Sequence, residues 1–467
     1  MKNKENIAYV IFLSAVAALG GFLFGYDTAV ISGTIKSVSI QFGLDEVKTG
    51  WYVGCALIGS IFGVAMAGRM SDRLGRRPVL FLSAILFSLS AIGCMFSASY
   101  LQLVVYRIIG GIGIGVASII SPLYISEIAV AKYRGTLVSL YQLAITVGFL
   151  GAYLVNYAIL DHALSVSIID GTLWDKIFID EYWRAMLGME TVPALLFFIV
   201  LFFIPESPRW LVIKGKESDA LQIMSRTYGE ENASGQVREL KRVISSEIKS
   251  DWKLLFQPRF RLALIIGVCL AILGQFMGVN AVLYYGPSIF EQTGLSEGDS
   301  LLYQVVVGAV NVGATLIGMW LIDRIGRKKL VYWGVSGMII SLFLIGMYFT
   351  LNKQGMMLPP VSLLILIIIY IFSCAISICM VIWVLLSEMY PARVRGAAMS
   401  IAGFSLWIGT FLIGQLTPWL MKNLSPAGVF WLFGIMCIPY ILIVWKLVPE
   451  TTGKSLEEIE KNWKEKE

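Results

Sequence analysis

Gly68-Arg69-Met70-Ser71-Asp72-Arg73-Leu74-Gly75-Arg76-Arg77 follows the second apolar run of the chain, and Asp323-Arg324-Ile325-Gly326-Arg327-Lys328-Lys329 follows the eighth. Two further pairs echo this repeat at similar spacing. Ser126-Glu127 leads to Arg134-Gly135, as Ser387-Glu388 leads to Arg395-Gly396. Pro205-Glu206-Ser207-Pro208-Arg209 is answered by Pro449-Glu450-Thr451-Thr452-Gly453-Lys454. Loop chemistry repeated at about half the chain length marks two similar halves. In a membrane protein such halves rock against each other around a central site, which points to transport.

Composition agrees. The chain is 57% hydrophobic and only 15% charged, with mean hydropathy +0.76, whereas soluble domains carry about 25% charged residues. Twelve apolar runs, from 7–33 and 49–70 through 396–420 and 428–448, reach the roughly 20 residues needed for a bilayer-crossing helix. The fold class is therefore all-α integral membrane. Twelve transmembrane helices form two pseudo-symmetric six-helix halves, 1–204 and 261–448, joined by cytoplasmic linker helices in 205–260 and followed by a tail, 449–467. Within the linker, 219–228 and 237–248 have the mixed spacing of short amphipathic helices. They serve either as a plain connection or as a latch between halves.

Lys and Arg crowd the N-terminal tail, the loop at Arg69–Arg77, residues 205–260 and the segment Arg324–Lys329, while the alternate loops carry few. Cationic loops stay inside, so both termini are expected in the cytoplasm of a bacterial inner-membrane protein. The net charge of +6 follows from this bias. It does not indicate nucleic acid, which would call for a basic soluble domain. The six cysteines all fall in apolar runs without zinc-ligand spacing, and there is one histidine, His162. Neither a metal nor a cofactor is expected. No nucleophile–base pair supports an enzyme.

Charges inside apolar runs demand a reason, since each costs about 2.5–3.5 kcal/mol on insertion scales. Asp27 in the first run, Arg107 in the fourth and Glu190 in the sixth reach similar depth, counted at about 1.5 Å per residue. Burial and the Arg107 charge act on Asp27 in opposite senses, so the carboxylate can take up and release a proton as access alternates. The competing reading is a static ion pair that fixes helix packing. At the cytoplasmic ends, Asp72, Arg73, Arg76 and Arg77 either anchor the membrane surface or join Glu127, Arg134, Glu388 and Arg395 in a network that holds the inner ends closed.

The ordered motifs resemble the sugar porters of the major facilitator superfamily over essentially the full length. They are Gly68-x-x-x-Asp72-Arg73-x-Gly75-Arg76-Arg77, Pro205-Glu206-Ser207-Pro208-Arg209-Trp210, Gln275-Phe276-Met277-Gly278-Val279-Asn280 with Tyr284-Tyr285, and Pro449-Glu450-Thr451-x-Gly453-Lys454. Phe24-Gly25-Tyr26-Asp27-Thr28 and Tyr106-Arg107-Ile108-Ile109-Gly110-Gly111 make the chain most similar to the bacterial proton–xylose symporters. The resemblance implies a major facilitator fold and a sugar site at Gln142, Gln275, Asn280, Asn311, Trp383 and Trp407. Gln and Asn suit hydroxyl pairs, and Trp suits the C–H face of a pyranose. It further implies proton coupling by Asp27, Arg107 and Glu190, and an outer gate at Tyr284 and Tyr285. The cytoplasmic charge network it implies adds Glu206, Arg209, Asp323, Arg324, Arg327 and Glu450.

Three departures bear on the sugar. Gly274 stands where the family often has a first Gln, Cys379-Met380 where it has Gly-Pro, and Leu406 where a polar residue precedes the Trp. The site is thus expected to lose at least two hydrogen-bonding groups and a helix break. The resulting expectation is a proton-coupled monosaccharide symporter for a pentose such as xylose or a hexose, working as a monomer in the lipid bilayer. The alternatives are a passive sugar or cyclitol uniporter and, much less favoured, a sugar sensor.

Overall fold

The computed structural model describes residues 6–166, 171–246, 255, 257–390 and 394–448. Those residues form helices, eleven of them long and apolar enough to cross a membrane. The last, Arg395–Lys446, has 52 residues. At about 1.5 Å per residue it would span roughly 78 Å, far more than a hydrocarbon core of about 30 Å. Ser425, at φ +63°, breaks it just before Pro426. It therefore supplies two crossings, and the twelve runs read from the sequence are all present as helices.

In chain order the helices used below are α1 (Ile7–Val30), α2 (Ile35–Phe42), α3 (Glu46–Leu74), α4 (Arg76–Met95), α5 (Tyr100–Ile128), α6 (Arg134–Ser165), α7 (Trp183–Gly188) and α8 (Thr191–Val200). The linker carries α9 (Pro208–Ile213), α10 (Glu217–Tyr228) and α11 (Glu230–Ser246). The remainder are α12 (Pro258–Phe276), α13 (Val279–Glu291), α14 (Glu297–Ile325), α15 (Arg327–Lys353), α16 (Pro360–Ile376), α17 (Ile378–Met389) and α18 (Arg395–Lys446).

Contacts gather the chain into two units. One comprises residues 1–30 and 55–248, the other 31–54 and 249–467. In the first, glycines let backbones meet: a Cβ at Gly111 would lie 1.9 Å from the Ala56 carbonyl oxygen. Only small residues permit such approach, which is how helices associate in lipid without a hydrophobic driving force. Linker helices α9–α11 bury Leu211, Val212, Ala220, Met224, Ala233 and Val237 among themselves. The amphipathic pattern in 205–260 thus makes a small packed core. Residues 247–254, which include the far end of the second amphipathic segment, lie outside the described residues, as does the tail from 449.

In the second unit, the helix break expected to be lost with Gly-Pro is present. Ser377, at φ −116° and ψ −87°, separates α16 from α17. Its hydroxyl donates to the Ser373 carbonyl at 2.6 Å. Gly334 makes room for it, since a Cβ there would lie 2.0 Å from the Ser377 hydroxyl oxygen. A side-chain hydrogen bond and a cleared neighbour do what proline does elsewhere.

Candidate functional site

Asp27 sits in α1 and Arg107 in α5, and both are buried. Arg107 Nη1 donates to Asp27 Oδ1 and, at 3.3 Å, to the Asp27 carbonyl. Glu190, at the joint between α7 and α8, is also buried and interacts electrostatically with both. Asp27 Oδ2 and Glu190 Oε1 have no hydrogen-bond partner. Two buried carboxylates thus feel one guanidinium, which is paired with Asp27, and each keeps an oxygen without a hydrogen-bond partner. Gly110, one turn after Arg107, allows this approach: a Cβ there would lie 2.7 Å from Asp27 Oδ2 and 2.4 Å from Ser90 Oγ. Gln142 lies half-buried on α6 of the same unit.

The second unit collects the other polar candidates. Helix α12 ends at Phe276, and Gly278 at φ +87° restarts the chain as α13. That break brings Asn280 Nδ2 to Gln275 Oε1 at 2.7 Å. Thr410 Oγ1, from α18, is 3.0 Å from the same oxygen and 2.9 Å from the Leu406 carbonyl. Trp407 is buried one turn away, and a Cβ on Gly403 would touch the Trp383 ring at 3.5 Å. Trp383 itself is 40% exposed, which leaves an aromatic face uncovered. Asn311 is buried on α14. Thr410 escaped the sequence reading. A helical threonine normally bonds its own preceding turn, and only the fold brings it to a residue 135 positions earlier.

Tyr284 and Tyr285 are both buried in α13. The Tyr285 hydroxyl donates to the Gly414 carbonyl at 2.6 Å. At the far end of α13, Lys36 Nζ reaches Glu291 at 3.0 Å and Glu297 at 3.1 Å, and Lys422 pairs with Glu46 at 2.5 Å. Segment 31–54 is thereby fastened to α13, α14 and α18. Partial burial opposes the Lys36 charge, but hydrogen bonds and charge from the two glutamates outweigh it and raise the ammonium above its usual range.

The charged repeat is built alike in each unit. Gly75 at φ +107° precedes α4, and Gly326 at φ +97° precedes α15. Arg76 grips Glu127 with two contacts of 2.9 Å, and Arg327 reaches Glu388 at 3.1 Å. Arg77 caps the carbonyls of Leu201 and Phe202, as Lys328 caps those of Trp445 and Val448. Glu206 accepts from the backbone N–H groups of Arg76, Arg77 and Ser207. Burial pushes its carboxyl up from the usual range, against those hydrogen bonds and the Arg76 charge. Asp72 accepts from Arg76 at 3.5 Å, Arg209 lies 4.0 Å from Glu127, and Arg395 donates to the Tyr390 carbonyl. Arg73 and Arg134 are exposed, and Arg324 stacks on Trp320 at 4.0 Å. The Asp323 side chain and Glu450 lie outside the described residues. Among the described residues no cluster of three or more His, Cys, Asp or Glu could hold a metal.

Comparison with known proteins agrees with this architecture. The family model for "Sugar (and other) transporter" matches residues 13–463. The chain is 39% identical to the arabinose-proton symporter of Bacillus subtilis, over 99% of this chain and 96% of that one. It is 38% identical to the D-xylose-proton symporter of Escherichia coli K12, over 99% and 97%. It is also 38% identical to the glucose transporter GlcP of Staphylococcus epidermidis, over 98% of each. Among solved structures, the inward open xylose transporter XylE from E. coli superposes with a TM-score of 0.83 at 37% identity, covering 97% of this chain and all of that one. The proton:xylose symporter XylE bound to 6-bromo-6-deoxy-D-glucose gives 0.80 at 38% identity, covering 98% and 100%. This chain belongs to the sugar transporter family of the major facilitator superfamily, a family of transporters rather than enzymes.

Proposed function

We propose that this protein is a proton-coupled monosaccharide symporter of the bacterial inner membrane, with both termini cytoplasmic, working as a monomer by alternating access. The observation that carries the reading is the buried Asp27–Arg107 pair with Glu190 beside it and an oxygen on each carboxylate without a partner. A passive carrier has no need for titratable acids held at such cost in lipid. The proton-symporter names of two relatives support the same reading.

Protonation of Asp27 releases its claim on Arg107, so the pair differs between the loaded and empty carrier. Sugar binds against Gln275, Asn280, Thr410 and Trp407, with Asn311 and Trp383 completing the site within this unit. Gln275 Oε1 already holds two donors, so its Nε2 is the group offered to a sugar hydroxyl. Tyr284 and Tyr285 close over the bound sugar on the outer side. The Arg76–Glu127 and Arg327–Glu388 networks hold the cytoplasmic helix ends together within each unit, and deprotonation inside resets the carrier. The candidate sugars are pentoses and hexoses.

Uptake into proteoliposomes with and without an imposed pH gradient tests the proposal. Gradient-driven accumulation is expected in the wild type. Asp27→Asn is expected to keep counterflow and lose accumulation. Uphill accumulation undiminished in that variant would sink the coupling, and equal wild-type uptake with and without the gradient would make the protein a uniporter.

A further inference from the structure

Pro287 lies inside α13, four residues after Leu283. Proline has no amide hydrogen, so the Leu283 carbonyl receives no helical hydrogen bond from that position. The missing donor comes from another helix. Gln304, fully buried on α14, directs its Nε2 at the Leu283 carbonyl (3.3 Å) and the Val282 carbonyl (3.5 Å). Its Oε1 has no partner, so the carboxamide serves here as a donor only. Gly286 makes the approach possible, since a Cβ there would lie 1.9 Å from Gln304 Oε1.

The same device recurs one helix away. Pro418 lies four residues after Gly414 in α18 and offers it no N–H. The Tyr285 hydroxyl supplies the hydrogen bond at 2.6 Å. Side chains from α14 and α13 thus serve two carbonyls deprived by proline, in series across α14, α13 and α18. In lipid such groups have no water to turn to, so a proline bend is tolerated only where a neighbour re-satisfies it.

We infer that Gln304 is a positioning residue of the gate: its amide replaces the hydrogen that Pro287 lacks and holds α13 as one unit while it bends at Tyr284 and Tyr285. The inference rests on the reading of those tyrosines as the gate. Gln304 touches no sugar in this scheme. It sets where the gate helix stands and how readily it moves.

The test is a double-mutant cycle in the full-length protein, read by thermal unfolding in detergent and by sugar counterflow. Gln304→Leu is expected to lower the unfolding temperature by about 2–4 °C. It should slow counterflow by about two- to tenfold, the worth of one hydrogen bond, while the sugar dissociation constant stays within about twofold. Pro287→Ala restores an amide donor, so Gln304→Leu on that background should cost little stability. Gln304→Met keeps the bulk without the donor and should match Gln304→Leu. An equal loss of unfolding temperature in both backgrounds overturns the replacement of the proline N–H. A loss of sugar affinity with unchanged counterflow overturns the gate role. The unfolding arm needs no transport, so it stands even where wild-type uptake fails and the symport reading falls.

Discussion

Thr410 brings its hydroxyl to the carboxamide oxygen of Gln275 at 3.0 Å, across 135 residues of sequence. With Asn280 on the same oxygen at 2.7 Å, Gln275 is held in one orientation before any sugar arrives. Thr410 stands one turn beyond Leu406, the place where the family pattern carries a polar residue. The hydroxyl therefore restores some of the polarity whose loss the sequence implied.

Thr410→Val keeps the shape and removes the hydroxyl. One hydrogen bond is worth about 0.5–1.5 kcal/mol, so sugar affinity is expected to fall about two- to tenfold. Gln275→Ala should weaken binding further, because it also removes the group held by Asn280 and Thr410. Titration calorimetry over a panel of pentoses and hexoses checks both; wild-type affinity for every sugar in Gln275→Ala would discard the site.

Gly110→Ala places a methyl 2.4 Å from Ser90 Oγ and 2.7 Å from Asp27 Oδ2. Overpacking of this kind costs about 1–3 kcal/mol, and here it displaces the carboxylate that pairs with Arg107. Proton-driven accumulation is expected to drop more than counterflow. Equal loss of the two activities would show that the methyl harms packing alone.

Arg76 and Glu127 are 6% and 4% exposed and share two contacts, whereas Arg327 and Glu388 are 14% and 24% exposed and share one. Breaking a buried ion pair costs about 3–5 kcal/mol, because the remaining charge is stranded. Arg76→Ala is thus expected to lower the unfolding temperature more than Arg327→Ala. Arg76→Lys should recover only part of the loss, since an ammonium cannot make the two-pronged contact. The reverse ranking in differential scanning fluorimetry would contradict this account.

Lys36 ties segment 31–54 to Glu291 and Glu297, and its ammonium is raised above the ordinary value of about 10.4. A raised folded-state value for a base means its contribution is complete below the unfolded value and fades as pH climbs through the folded one. Unfolding temperature should therefore show no Lys36-dependent change between pH 6 and 9, within about one degree. Above about pH 10.4 the wild type should lose stability that Lys36→Met has already lost. Parallel wild-type and Lys36→Met curves through the alkaline range would rule out the contribution.

Much of the fold was legible because lipid is a severe solvent. Every crossing must be apolar and helical, so runs of about 20 apolar residues write the number and order of the helices into the chain. Asp27, Arg107 and Glu190 stood out for the same reason. The break at Ser377 left no such mark, because it relies on a hydroxyl and on the vacancy at Gly334, not on proline or glycine within α16 and α17. Arg73 and Arg134 have the same residue type as Arg76, yet only the tertiary arrangement leaves them exposed and buries Arg76.

The sequence by itself determined a doubled, twelve-helix membrane protein of the sugar transporter family, since hydropathy and repeated loops are local properties that need no partner to be read. Only the tertiary structure decided which side chains serve which: Thr410 on Gln275, Gln304 on the carbonyls beside Pro287, Arg77 and Lys328 on the ends of helices more than a hundred residues away. Those pairings depend on helix rotation and close approach, which glycine vacancies and proline bends set at positions remote in sequence. A residue type announces what a hydrogen bond could be; packing decides where it is made.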